Sequence, residues 1–247
     1  MAAPPDDVVA DQQGDLAAAV LRPLRAHHAF ESCVEMLATS IRLGIYPDGS
    51  TLPPERELAE RMGVSRSTLR EAIGALRDAG LLTTRRGRGG GSVVAFHPEE
   101  PGSTQKTERP REELLDALAF RRIVEPGAAH VAAKRTLTDQ QAEMLRSSLD
   151  RVSSASSKAV HRQADSQFHL AIASLTGSPL LIDAVTSVQI RLHEMLGAIP
   201  VLDRNIDHSR QQHAALAEAI LAGDATKARR VMESHCDDTA ALLRGLM

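Results

Sequence analysis

The sequence predicts a mainly α protein in two parts: an N-terminal winged helix-turn-helix, three helices plus a β-hairpin wing, joined to a C-terminal all-α helical bundle. Three observations carry this. Residues 52–96 run helix, glycine turn, helix and basic glycine-rich hairpin in that order. From residue 111 onward apolar positions recur at helical spacing, with no alternating strand pattern to compete. Between these parts, residues 97–110 (His-Pro-Glu-Glu-Pro-Gly-Ser-Thr-Gln-Lys-Thr-Glu-Arg-Pro) have the polar, Pro- and Gly-bearing composition of a linker. At 247 residues the chain is long enough for two separately packed cores.

The elements follow in order. Residues 1–28 show weak periodicity, apart from Leu16, Val20 and Leu21, and read as a flexible tail. A first helix is expected over about 30–43, with Val34, Leu37 and Ile41 on one stripe and Gly44 as its C-cap. Tyr46-Pro47-Asp48-Gly49 is a turn signal. A second helix follows Pro53-Pro54 with Leu58, Ala59 and Met62 inward, and Gly63 breaks it. Ser65 can cap a third helix whose inward residues are Leu69, Ile73 and Leu76, ending at Gly80. Leu81–Thr84 and Ser92–Phe96 read as two strands joined by the basic glycine turn. The winged unit is thus expected over 29–97, a linker over 98–110, and a bundle of six or seven helices over 111–247, broken at Gly177-Ser178-Pro179 and Gly223-Asp224 among other points.

Charge sets a constraint on function. The chain carries a net charge of -3, and residues 29–97 hold nine Arg, no Lys and eight acids. A DNA-binding role must therefore rest on where the arginines sit. One Tyr, four Phe and no Trp give no support to single-strand recognition by base stacking. Cys33 and Cys236 follow no metal-ligand spacing and read as reduced thiols of a cytoplasmic protein. With no apolar run of about 18 residues and no basic-then-apolar start, neither a membrane span nor a signal segment is expected.

A recognition helix meets the major groove with its N-terminal residues, here Ser65, Arg66, Ser67, Thr68 and Arg70. Arg can fork onto guanine, and hydroxyls can reach phosphates or base edges. Arg85, Arg86 and Arg88 sit among wing glycines that let the backbone approach a groove. Leu-Pro-Pro-Glu-Arg-Glu-Leu-Ala, followed by Gly-Val-Ser-Arg-Ser-Thr-Leu-Arg-Glu-Ala, resembles the GntR family of bacterial transcription regulators over about Phe30 to Phe96. The resemblance implies a homodimer on a short pseudo-palindromic operator of double-stranded DNA. It also implies contacts from Arg56, Arg66, Thr68 and Arg70, with the wing turn at Arg86 and Gly87 reaching the minor groove and Arg88 beside it.

In the second half, Asp165 and His169 are four residues apart and so share a helical face. His213 and His235 flank Gly223-Asp224 on successive helices, each roughly 15–18 Å from the turn at 1.5 Å per residue, and so at similar height in an antiparallel pair. One carboxylate and three imidazoles can converge there, a donor set for Zn²⁺ foremost, with Ni²⁺ the alternative. The same spacing also suits a surface ion pair and hydrogen-bonded core histidines, so spacing leaves both readings open. His161, His193 and His208 read as ordinary surface or pocket residues.

Residues 111–240 resemble the FCD ligand-binding domain of the FadR-type GntR branch. The carrying segments are Arg121 with Val124-Glu125-Pro126, Asp165-Ser-Gln-Phe-His169, His213-Ala-Ala-Leu-Ala-Glu-Ala-Ile, and Met232-Glu-Ser-His235. The resemblance implies that Asp165, His169, His213 and His235 hold a divalent metal and that Arg121 faces the effector pocket. Ser178 departs from the Asn common there. Open coordination positions would take a small carboxylate effector, with Arg121 and Arg191 as its charge partners. Arg191 is chosen because its helix should return past Asp165 and His169, although a surface arginine fits its position as well.

The expected function is a DNA-binding transcriptional regulator, a repressor by resemblance, whose operator affinity responds to a small organic acid at the metal site. The alternative is a regulator in which the divalent ion itself is the effector. An enzyme using zinc-activated water is disfavoured, since no spare Glu or His stands by the motif as a general base. A purely structural metal is the remaining option.

Overall fold

The computed structural model describes residues 29–85, 87, 90–97, 111–196 and 203–245. The expected tail (1–28) and linker (98–110), with Arg86 and Arg88 of the wing, lie outside them. Helix α1 (Ala29–Arg42) buries Cys33, Leu37 and Ile41, one stripe at spacing four. Helix α2 (Glu55–Met62) starts directly after the proline pair and stops at Gly63. Gly63 stands at φ 65° and its N–H turns back onto the Ala59 and Glu60 carbonyls, a left-handed cap that a residue with a Cβ resists. Helix α3 (Arg66–Asp78) is capped by Ser65, whose Oγ accepts the Thr68 N–H at 3.1 Å.

The wing strands β1 (Leu82–Arg85) and β2 (Gly91–Val94) pair antiparallel, from Leu82↔Val94 to Arg85↔Gly91. Pairing begins one residue later than expected because the Leu81 N–H is committed to the Leu76 carbonyl at 2.9 Å, closing the end of α3. Thr51 bridges Val93, so the segment ahead of α2 also adds to the wing. Leu37, Ile41, Leu58, Leu69, Ile73 and Leu76 pack with Leu82 and Val94 of the strands into one core. At about 1.5–3 kcal/mol for each large apolar side chain fully buried, this core is what fixes α3 against the wing.

Among the described residues the second half consists of six helices: α4 (Arg111–Ala133), α5 (Asp139–Ser153), α6 (Lys158–Leu175), α7 (Pro179–Leu196), α8 (Asp203–Leu221) and α9 (Ala225–Gly245). Thr138 and Gln141 form a reciprocal capping box at α5, and Ser157 caps α6. Phe168, Leu145, Ile172, Leu216, Ile220 and Met232 are buried at its centre. Helix α4 packs on α7 and α9, α6 on α5 and α7, and α8 on α5 and α9. Polar side chains from the inner faces of α4, α6, α8 and α9 therefore meet inside the bundle.

The two halves are joined by hydrogen bonds from side-chain amides to main-chain carbonyls. Gln163 Nε2 of α6 donates to the Arg42 carbonyl at 2.9 Å, and Gln167 Nε2 donates to the Leu43 and Gly44 carbonyls at 3.1 and 2.8 Å. These carbonyls lie where α1 ends and its own ladder leaves acceptors unpaired. Gly44 stands at φ 68°, which favours glycine, and a Cβ there would meet Gln167 Nε2 at 2.7 Å, so that amide would have to shift from the carbonyls it grips.

Candidate functional site

Asp165 and His169 project from α6, His213 from α8 and His235 from α9, and their ligand atoms all lie within 4.8 Å of one another. The three histidines are buried, while the Asp165 side chain is 27 % exposed and forms the open side of the cluster. Asp165 Oδ1 is 3.5 Å from His213 Nε2, and Oδ2 is 3.9 Å from His169 Nε2. Donors on a first-row ion stand about 3–3.5 Å apart when bonds are about 2.0–2.2 Å. Side-chain adjustments of about an ångström would thus close the set around one ion.

The surrounding groups orient the imidazoles for this. His169 Nδ1 lies 2.8 Å from Glu125 Oε2, although off the line of its N–H, so the contact is electrostatic before it is directional. His235 Nδ1 stands 3.1 Å from Gln212 Oε1 and donates to it. With Nδ1 serving as the donor, the Nε2 lone pairs point toward the common centre. His213 Nδ1 is buried without a hydrogen-bond partner.

Charge in the site is balanced by a buried pair on α4. Arg121 Nε donates to Glu125 Oε2 at 3.0 Å, and Arg121 Nη2 lies 3.3 and 3.1 Å from the Nε2 atoms of His169 and His235. Gln189 of α7 donates to the other Glu125 oxygen at 2.6 Å. Burial alone would raise the Glu125 pKa, but Arg121 and then His169 outweigh it and hold the carboxyl at about 2. Burial works to lower the Arg121 pKa, but the adjacent Glu125, with Cys236 and Asp165, more than offsets it and holds the guanidinium above its ordinary value. Burial pushes His213 down to about 3, against the pull of Asp165, and holds His235 well below the usual imidazole range. Asp165 is lowered, because His213 and His169 overcome its desolvation. A neutral His213 and His235 beside an ionised Asp165 are the protonation states that metal ligation requires.

The structure thus brings Asp165, His169, His213, His235 and Arg121 together. It does not bring Arg191, which is exposed on α7 while Val188, Gln189 and Leu192 face inward. Arg191 stands about 200° around the helix from Gln189, so Gln189, two residues earlier, is the residue that reaches the site. His161 and His193 are pocket residues, one of the two expected places for them. His161 is buried with Nδ1 3.2 Å from the Val152 carbonyl, and burial, then Arg162 and Arg42, push His193 down to about 4. Exposed His208 pairs with Asp238 at 3.1 Å.

On the other half, Arg56, Ser65, Arg66, Ser67 and Arg70 are exposed and Thr68 is half-buried, while the glycine at 87 is exposed in the wing. Arg86 and Arg88 cannot be placed, being outside the described residues. Ser65 Oγ lies 2.8 Å from both the Ser67 and Thr68 hydroxyls, so the cap also orients these two side chains. Arg70 Nε donates to Glu55 Oε2 at 2.6 Å, tying α3 to the start of α2.

Sequence reasoning missed the roles of Glu125, Gln189 and Gln212. A signal for Glu125 existed: Arg121 and Glu125, four apart, interrupt the otherwise apolar inner stripe of Ala117, Leu118, Ala128 and Ala129. A charge pair inside a core stripe marks a site. The two glutamines carry no such mark.

Comparison with known proteins bears on the reading of both halves. Residues 30–91 match the model of bacterial regulatory proteins of the gntR family, and residues 116–238 match the FCD domain. An Escherichia coli (strain K12) protein named for regulation of the L-lactate dehydrogenase operon is 34% identical over 210 residues, covering 76% of this chain and 75% of its own length. The HTH-type transcriptional repressor NanR of Cronobacter sakazakii is 28% identical over 233 residues, 91% of this chain and 89% of that one. Among solved structures, E. coli McbR/YncC superposes with a TM-score of 0.52 at 18% identity, covering 89% of this chain and 98% of that chain, a likeness of fold.

Proposed function

The chain is a DNA-binding transcriptional regulator belonging to the GntR family, with an FCD domain, and we propose that it is a repressor whose operator affinity is set by a small organic acid held at a divalent-metal site. The observation that carries the proposal is the convergence of Asp165, His169, His213 and His235 beside the buried guanidinium of Arg121. The donor set fits a first-row ion, Zn²⁺ foremost, with Ni²⁺ the alternative. Such an ion supplies a Lewis-acidic anchor for a carboxylate.

Arg121 explains why the effector should be an anion. Its Nη2 faces the Nε2 atoms that a cation would use, so the ion and the guanidinium would be like charges in a buried space. A carboxylate shared between them relieves that repulsion and makes charge-assisted hydrogen bonds to Arg121. The Glu125–Gln189 contact then links the α4 side of the site to α7.

Helix α6 offers a route to the DNA-reading half. Asp165 and His169 lie on one of its faces, and Gln163 and Gln167 on the other grip the end of α1. A shift of α6 on effector binding would carry α1 with it and reorient α3, altering operator affinity through differential stabilisation of two arrangements. The DNA-contacting set is proposed as Arg56, Ser65, Arg66, Ser67, Thr68 and Arg70, with Arg86, Gly87 and Arg88 of the wing.

A two-fold operator calls for a second copy of the chain. Phe120, Ile123 and Val131 form an exposed apolar strip on α4, and Leu180 on the adjoining α7 is 81 % exposed, which supports a homodimer through this face. Among the described residues no helix is long and apolar enough to cross a membrane, and reading an operator places the working protein in the bacterial cytoplasm.

Anisotropy titration of the metal-loaded chain against the promoter region beside its own gene tests the proposal. Specific binding weakened at least tenfold by an organic acid is expected. His235→Ala should keep operator binding and lose that response; a response surviving this change would sink the metal-held reading. Operator affinity that follows Zn²⁺ alone would instead select the ion as effector.

A further inference from the structure

The orientation of His235 depends on a chain of contacts that ends at the protein surface. Gln212 of α8 places Oε1 3.1 Å from His235 Nδ1 and donates from Nε2 to Asp238 Oδ2 of α9 at 2.7 Å. Asp238 Oδ2 also lies 3.1 Å from His208 Nε2 and accepts from the Ser234 hydroxyl at 3.4 Å. His208 and Gln212 are four apart on α8, as are Ser234 and Asp238 on α9, so each pair shares the face where the two helices meet. The Asp238 side chain is 48 % exposed. With His208 and Gln212 it lines a cleft of about 80 Å³ that has His235 in its wall.

What each group can donate or accept gives this chain one direction. Desolvation of the Asp238 carboxyl is outweighed by the hydrogen bonds from His208 and Gln212, which hold it below its ordinary value and so ionised at neutral pH. An ionised carboxylate only accepts, so the end of the Gln212 amide that meets it must be the NH₂. The oxygen end then faces His235. Burial holds that imidazole well below its usual range, so it is neutral and its one proton must choose a nitrogen. Facing an acceptor, Nδ1 carries the proton, and the Nε2 lone pair is left in the cluster. Arg121 agrees from the opposite side, because a guanidinium only donates and its Nη2 stands 3.1 Å from that Nε2. Turned end for end, the amide would offer N–H groups to Nδ1 and favour the proton on Nε2, where it blocks a metal. His169 has a carboxylate, Glu125, in the corresponding place, and a carboxylate accepts whichever way it turns. A glutamine has to be held.

We propose that Asp238 is a positioning residue of the metal site: by holding the Gln212 amide in one orientation it fixes the His235 tautomer that leaves Nε2 free for the ion. The inference rests on the metal-held reading above and deepens it, by assigning a role to a residue outside the donor set. Asp238 touches neither ion nor effector, and its charge is half-exposed and screened, so its effect is directional before it is Coulombic. His208 and Ser234 keep the carboxylate in place.

Two measurements on the full chain test this. In the metal-free protein carrying ¹⁵N-labelled histidine, long-range proton–nitrogen correlation at neutral pH should show His235 protonated at Nδ1, its signals assigned by their loss in His235→Gln. In Asp238→Ala the two nitrogen shifts should move toward each other as the Nε2–H form becomes populated. Zn²⁺ affinity, read by competition with a chromophoric chelator, should fall about 5–10-fold, less than the 10–100-fold cost of losing a ligand's direct partner. The same Asp238→Ala change made together with Gln212→Glu should retain Nδ1–H and lose less than twofold relative to Gln212→Glu alone, because a carboxylate at 212 needs no orienting. A parent His235 protonated at Nε2, an Asp238→Ala protein unchanged in both readouts, or an equal loss in both backgrounds would overturn the assignment. An Asp238-dependent tautomer in a chain that binds no Zn²⁺ would keep the orienting role and remove the metal-held reading.

Discussion

Replacing Glu125 by Gln keeps the shape of the side chain and deletes one charge at the point where four residues meet. The carboxylate accepts from Arg121 at 3.0 Å and Gln189 at 2.6 Å, lies 2.8 Å from His169 Nδ1, and takes a long contact from the Cys236 thiol. Its pKa is held at about 2 against an ordinary 4.5, which at 1.36 kcal/mol per unit corresponds to about 3 kcal/mol of stabilisation at neutral pH. The folded value is the depressed one, so this contribution is present above pH ~4.5 and lost as pH falls through ~2. Removing one partner of a buried ion pair costs about 3–5 kcal/mol, in agreement. At about 2–4 °C per kcal/mol for a chain of this size, Glu125→Gln should lower Tm by about 6–20 °C. Because the Glu125–His169 contact orients a metal-type ligand, Zn²⁺ affinity by calorimetry should also fall about 10–100-fold. The double change Arg121→Met with Glu125→Leu should regain much of the stability, since no buried charge is then left alone, yet should not regain acid binding. A Glu125→Gln protein with a Tm within 2 °C of the parent and unchanged Zn²⁺ affinity would refute the argument.

Three further outcomes are expected. Ile123→Glu places a charge on a residue that is 74 % exposed in the chain and proposed to be covered by a second copy; light scattering should report a monomer with weakened operator binding, and an intact dimer would move the interface elsewhere. Urea midpoints should drop as pH falls below about 6.5, because His213 is depressed to about 3 and the unfolded chain takes up protons that the folded one refuses; at pH 5 this single residue accounts for about 2 kcal/mol, and a midpoint unchanged between pH 8 and pH 5 would contradict it. Gly44→Ala combines a φ of 68° with a Cβ 2.7 Å from Gln167 Nε2, so a loss of about 1–3 kcal/mol is expected. The accompanying loss of effector response, with operator binding retained, would be read from the same anisotropy titration; a full response would exclude α6 as the route.

Local signals were legible where one residue type does one job. Ser65, Gly63 and the Leu69-Ile73-Leu76 stripe marked the ends and inner face of the helices they terminate or fill, because caps and apolar spacing act within a few residues. The convergence of Asp165, His169, His213 and His235 followed from two spacings and one turn. Arg191 failed because helix direction was inferable and rotation about the axis was not; an error of two residues turns a side chain to the opposite face. Gln189 and Gln212 were illegible for a different reason. Their roles exist only once α4 meets α7 and α8 meets α9, and a glutamine looks the same in sequence whether it faces water or a buried carboxylate.

The joint between the halves is made by side-chain amides on one side and main-chain oxygens on the other. Gln163 and Gln167 thus recognise how a helix ends, in a glycine at positive φ with its last carbonyls bare, and not which amino acids compose it. Such a coupling is portable. A helical sensor built this way could be fitted to winged units of different operator specificity, provided the incoming first helix finishes in the same turn, and a grafted head ending in a residue other than glycine would bind its DNA deaf to the sensor. The recombination unit of this architecture is the backbone geometry around Gly44, a constraint on chimeras that the DNA-reading residues do not reveal.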